Sequence, residues 1–153
     1  MLEVISGQLR IAVIDDVEIQ AQFVQALVKS CASDETEVDY FTNPNIALEA
    51  ICTGRYYAVF TDVHMEEMKG DDVVRQINAL NLGVQTFVLT GDDGFILALN
   101  CFRLGCRNIF VKPPKTALIR EAVEKVESDF FSWRKTFADL NQRKKSKLDK
   151  KAS

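Results

Sequence analysis

The sequence predicts an α/β fold: a five-stranded parallel sheet with helices on both faces and an extended C-terminal helix. Three observations carry that expectation. Five short, β-branched apolar runs alternate with segments of helical spacing. The runs are apolar at successive positions rather than at every second one, as in strands covered on both faces. Five such β-α units fit in about 130 residues of a 153-residue chain, the size of one domain with right-handed crossovers.

Leu9 to Ile14 is the first strand and stops abruptly at Asp15-Asp16. Val17 to Lys29 follows with helical spacing, grouping Ile19, Phe23, Ala26 and Leu27 on one face. Glu37 to Phe41 makes the second strand. Asn43-Pro44 reads as an N-cap with proline at the first helical position, opening a helix through Ile46, Ala47, Ala50 and Ile51. Tyr57 to Thr61 is the third strand and ends on Asp62. A loop to Gly70 leads into a helix bearing Val73, Val74, Ile77 and Leu80, and Val84 to Leu89 is the fourth strand, ending at Thr90. The turn Gly91-Asp92-Asp93-Gly94 opens a helix from Phe95 to Leu104, Asn108 to Val111 is the fifth strand, and Lys112-Pro113-Pro114 precedes the last helix, which starts near Lys115.

Several function classes drop out. No apolar run approaches the roughly 20 residues needed to span a bilayer, and Met1-Leu2-Glu3-Val4-Ile5 lacks the basic start of a signal peptide. Cys31, Cys52, Cys101 and Cys106 show no CxxC spacing, and read as packed thiols of a reducing, cytoplasmic compartment. His64 is the sole histidine, which excludes multi-histidine zinc sites. The seven glycines form neither of the common phosphate-cradling loops.

In parallel α/β sheets the reactive groups gather beyond the carboxyl ends of the strands. Here those ends carry Asp15 and Asp16, Asp62, Thr90 and Lys112: three carboxylates, a hydroxyl and an ammonium on one edge. Three close carboxylates do not all ionise comfortably without a cation. Hard oxygen donors suit Mg²⁺, and a carboxylate beside that ion can attack phosphorus. The lysine would stabilise charge on the transferring group, the hydroxyl would donate to it, and Gly91 would leave room for its entry. Taken singly, each of these residues reads more simply as an N-cap, turn chemistry or a solvated charge.

Asp15-Asp16, then Asp62-Val63-His64-Met65 with Gly70 eight residues beyond Asp62, then Thr90, then Lys112-Pro113, resembles the receiver domain of two-component response regulators (the CheY-like superfamily). The resemblance covers residues 8–128 and implies a flavodoxin-like strand order 2-1-3-4-5. It implies Asp62 as phosphoacceptor, with Mg²⁺ held by Asp15, Asp16, Asp62 and the backbone carbonyl of His64. Thr90 would be the switch hydroxyl, Lys112 the contact to the phosphoryl group, and the Lys112-Pro113 bond cis. Such a chain is not an enzyme but an acceptor that assists its own phosphorylation and dephosphorylation. Its donor would be a histidine kinase or phosphotransfer protein, and it would signal through protein contacts. Ile109 stands where the family usually has an aromatic residue, Glu66 where it has proline, and Lys69 where an acid is common.

Two segments go beyond this frame. The 95–104 helix groups Phe95, Ala98, Leu99 and Phe102 in a stripe expected to face the sheet, with Leu97, Cys101 and Leu104 in a second stripe. In the last helix, Ile119, Val123, Val126, Phe130, Trp133, Phe137 and Leu140 follow a 4,3 alternation, a heptad seam. The stretch from Phe130 to Leu140 is expected to leave the domain and pack on a second copy, in a homodimer using the 95–104 and 115–140 helices.

Residues 134–153 hold eight Lys or Arg and two Asp, a local +6, against −9 for the other 133 residues, which hold eleven basic and twenty acidic side chains. The chain thus divides into an N-terminal extension (1–7), the receiver (8–128), an extension of the last helix (129–140) and a basic, disordered tail (141–153). Alternatives are a receiver cut from a longer regulator, one whose tail binds nucleic acid or an acidic partner, and a degenerate receiver that is never phosphorylated. Nucleic acid is disfavoured, because too few residues follow 128 for a helix-turn-helix with its own core.

Overall fold

The computed structural model describes residues 7–91 and 94–153. Most of the expected N-terminal extension, and Asp92-Asp93 of the turn after the fourth strand, lie outside them. The elements alternate as β1 (Arg10–Ile14), α1 (Glu18–Cys31), β2 (Glu37–Phe41), α2 (Pro44–Cys52), β3 (Ala58–Asp62), α3 (Gly70–Ala79), β4 (Gln85–Thr90), α4 (Phe95–Arg103), β5 (Asn108–Val111) and α5 (Thr116–Ala152). The sheet order is β2-β1-β3-β4-β5, and every pairing is parallel. This is the expected flavodoxin-like order.

The register aligns the strand ends. Ile14 pairs with Thr61, Asp62 with Leu89, and Thr90 with Val111, so the polar residues that end the strands open on one edge. Asn43 caps α2 as expected, its side chain accepting from the amides of Asn45 and Ile46, and Lys112-Pro113 is cis.

On one face of the sheet, α1 and α5 pack over Leu9, Ile11, Val13, Phe60, Phe87 and Phe110. The last three rings stack across β3, β4 and β5, with Phe60 and Phe87 centroids 4.7 Å apart and Phe87 and Phe110 6.1 Å apart. On the other face α2 and α3 cover Ala12, Ile14 and Val59, while α4 joins Val63, Val74 and Val88. Burial of these apolar side chains, each worth about 1.5–3 kcal/mol, is what holds the strand ends in place.

Four expectations need correction. First, α1 turns Ala21, Val24, Val28 and Cys31 to the core and leaves Ile19 and Phe23 exposed. Small and β-branched residues let α1 lie close to the sheet and α5, which the bulkier stripe would prevent. Second, α4 turns the stripe of Leu97, Cys101 and Leu104 to the core, Cys101 buried and the two leucines partly so, and not the stripe of Phe95, Ala98, Leu99 and Phe102. Cys101 is fully buried in the cluster with Val74 and Val88, a space for a thiol and not a ring, and Phe95 and Phe102 are each 77% exposed. Third, Phe130 does not leave the domain: it is 0% exposed, edge-on to Tyr57 at 5.4 Å.

Fourth, residues 141–152 continue α5 instead of forming a disordered tail. No glycine or proline follows Pro114, and Gln, Arg, Lys, Leu and Ala all propagate a helix well once it is nucleated against the domain. Among the cysteines, Cys31 and Cys101 are buried and Cys106 half-buried, but Cys52 is exposed at the end of α2 and is not a packing residue.

Candidate functional site

Asp15, Asp16 and Asp62 come together as expected. One carboxylate oxygen from each lies within 4.8 Å of the others, and Asp15 and Asp62 are buried. Lys112 reaches into this cluster from the residue after β5. Its Nζ lies 3.0 Å from Asp62 Oδ1 and 3.2 Å from Asp15 Oδ2. Thr90, at the end of β4, is fully buried on the same edge. The side chain of His64, two residues past Asp62, is exposed.

Backbone amides orient the acids. Asp15 Oδ1 accepts from Val17 N at 3.0 Å, Asp62 Oδ1 from Val63 N at 2.9 Å, and Asp16 Oδ2 from Glu66 N at 3.0 Å. The first two bonds fold each carboxylate back over its own chain, Asp15 in an Asx turn to the amide two residues on and Asp62 onto the next amide. The third crosses from the β1 end to the loop after β3. Sequence reasoning missed Glu66 in this role because the contact uses its backbone. It also missed Gln20, whose Oε1 accepts from Lys112 Nζ at 3.1 Å. A glutamine in the first turn of a helix gives no signal of its own.

Burial holds the Asp15 carboxyl above the usual range. The Val17 amide and the Lys112 ammonium pull it back down, and the neighbouring Asp62 pushes it up again. One ammonium shared by two buried carboxylates leaves the cluster of three short of positive charge. The donor set is all hard oxygen, at a spacing that one small divalent cation can bridge, so the residues present fit Mg²⁺. Asp15, Asp16 and Asp62 would hold it.

Gly70 is needed for close approach and not for a special φ. A Cβ there would press on the carbonyl oxygen of Asp62 and lie 2.8 Å from Val63 Cα, while Gly70 N donates to Val63 O at 2.9 Å. The first turn of α3 is thus seated on the peptide that carries Asp62. Gly70→Ala is expected to cost about 1–3 kcal/mol through forced backbone displacement, read as a lowered urea midpoint. A Cβ on Gly91 would meet nothing within 4 Å among the described residues.

The sequence matches the response regulator receiver domain family over residues 11–124. It is 30% identical over 90 residues to the transcriptional regulatory protein FlgR of Helicobacter pylori, covering 59% of this chain and 23% of that protein. It is 26% identical over 121 residues to the transcriptional regulatory protein ZraR of Salmonella typhimurium, covering 79% and 27%. The chain therefore spans about a quarter of the length of these relatives. Among solved structures, the receiver domain of a putative LuxO repressor protein from Vibrio parahaemolyticus superposes with a TM-score of 0.73 at 18% identity, over 88% of this chain and 97% of that one. The Vibrio cholerae chemotaxis protein CheY4 gives 0.69 at 18% identity, over 78% and 99%. At that identity the two structures speak for the fold alone.

Proposed function

The chain belongs to the response regulator receiver family, and from that premise we propose that it accepts a phosphoryl group on Asp62 and passes the signal on through protein contacts. The observation that carries this reading is the Lys112 ammonium held between Asp62 and Asp15, beside Asp16 and the buried Thr90. A carboxylate oxygen of Asp62 attacks phosphorus, a phosphorus–oxygen bond forms, and the bond to the donor's imidazole nitrogen breaks with departure of the imidazole. Lys112 balances negative charge on the phosphoryl oxygens, and the Thr90 hydroxyl donates to one of them. When bound by Asp15, Asp16, Asp62 and the His64 carbonyl, Mg²⁺ would supply charge neutralisation at those oxygens.

The donor is a histidine kinase or a phosphotransfer protein. The acceptor is no enzyme in its own right, although its side chains assist both gain and loss of the phosphoryl group. Among the described residues no helix is long and apolar enough to cross a membrane, and we place the chain in the cytoplasm, with its donor.

The output is a protein surface. Phe95, Ile96 and Phe102 of α4 and Trp133 and Leu140 of α5 are exposed, and we assign them to a homodimer. With Ile109 at the position before Phe110, the response does not use an aromatic side chain at that site. A second reading, in which α5 leads from the receiver into a further domain, is favoured by coverage of only 23% and 27% of the curated relatives.

Incubation with Mg²⁺ and acetyl phosphate, followed by intact mass, tests the acceptor. One added phosphoryl group is expected on the wild-type chain and none on Asp62→Asn. Equal labelling of both proteins, or none of the wild type across several donors and divalent ions, would remove the reading.

A further inference from the structure

The exposed half of α5 carries a second pattern. Trp133 and Leu140 are 52% and 54% exposed, and the rings of Trp133 and Phe137 lie 5.9 Å apart. The same 4,3 spacing that buries Ile119, Val123, Val126 and Phe130 continues past Leu140 to Lys144, Lys147 and Lys151. One line along the helix thus runs from buried, to exposed aromatic, to cationic.

Two such helices side by side in parallel would set each of these lysines against its own copy. That places one +6 segment on another, and like charges at facing positions destabilise a helix pair. The antiparallel arrangement reverses the sign. With Phe137 at the crossing point, Lys145 and Lys147 lie eight and ten residues beyond it. Asp129 and Glu127 lie eight and ten residues before it on the other copy. Glu127 accepts from Ser33 N and Thr36 Oγ1, both at 2.7 Å, which brings the α1–β2 loop against the helix. That loop adds exposed Asp34 and Glu35 to the same lower edge, in a cleft shared with Phe131 and Arg134.

We propose that the projecting half of α5 pairs antiparallel with the same helix of a second copy. Trp133, Phe137 and Leu140 meet at the crossing, and each basic end seats against the acidic lower edge of the partner's receiver body. With Phe137 at the crossing, the 13 residues from Phe131 to Arg143 overlap with the same stretch of the partner, about 20 Å of helix, and residues 144–152 run on along the partner's body. This rests on the dimer reading above and fixes its orientation.

Light scattering and sedimentation of the full, unphosphorylated chain test it. The dimer is expected to weaken about tenfold between 50 and 500 mM NaCl, because the attraction is between exposed charges. Lys144→Glu/Lys145→Glu/Lys147→Glu is expected to weaken it about as much. Asp34→Lys/Glu35→Lys does the same, and an equimolar mixture of the two variants recovers a heterodimer. A parallel dimer gives the opposite: tightening with salt, no recovery on mixing the two variants, and rapid disulfide dimers from Lys147→Cys in a Cys52→Ser background. That outcome overturns the orientation and leaves the dimer reading intact. So does a dimer indifferent to salt and to both sets of reversals, which would lie on the α4 face. A monomer at every concentration overturns both. A monomer that gains mass only with duplex DNA does too, and assigns the basic end to a polyanion.

Discussion

Replacing Phe130 with alanine is expected to remove about 3–5 kcal/mol of folding stability, a large share of what a domain of this size has. The ring is 0% exposed, edge-on to Tyr57 and Phe131, each at a centroid distance of 5.4 Å. It belongs to the cluster that joins α1, α5 and the sheet. Truncation leaves a void that β-sheet neighbours cannot collapse to fill. A urea melt followed by circular dichroism checks the cost. Phe131→Ala, at a half-buried position, serves as the comparison and is expected to cost clearly less. A Phe130→Ala midpoint within error of the wild type would mean that the domain ends before Phe130.

Lys112→Met is expected to slow phosphorylation by about 10²–10³-fold, the range seen when one donor to developing negative charge is removed. The methionine keeps the unbranched stem of the side chain and removes the ammonium that sits 3.0 Å from Asp62 Oδ1 and 3.2 Å from Asp15 Oδ2. The same change is expected to tighten Mg²⁺ binding, because the ammonium and a divalent ion compete for one set of carboxylates. Calorimetry with Mg²⁺ and a time course of acetyl phosphate labelling read the two effects separately. Labelling at the wild-type rate would exclude Lys112 from the phosphoryl contact.

Much of the fold was legible because parallel strands covered on both faces announce themselves as unbroken apolar runs, and here each run stops on the residue that matters. Asp15-Asp16, Asp62, Thr90 and Lys112 could be placed on one edge from that alone. Periodicity also grouped the helical residues correctly, but it could not say which group faces inward when two stripes of one helix are apolar. Ile19 and Phe23 on α1, and Phe95 and Phe102 on α4, are the larger side chains, and the core took the smaller stripe in both cases. The 141–152 segment was misjudged because its charge was weighed above its helix propensity. Within the site, Gln20 and the amide of Glu66 were invisible. One is an unremarkable polar residue in sequence, and the other contributes only backbone.

The bond from Glu66 N to Asp16 Oδ2, 3.0 Å long, joins two loops that are 50 residues apart in sequence. A carboxylate has about four lone-pair sites, so Asp16 holds the Glu66 amide with one of them and keeps the others for the cluster with Asp15 and Asp62. The loop from Val63 to Lys69, which displays His64 beside Asp62, is therefore moored to the end of β1 by one of the acids themselves. Replacing Asp16 thus takes a carboxylate from the cluster and a mooring from that loop in one change, and the amide proton of Glu66 reports on the second.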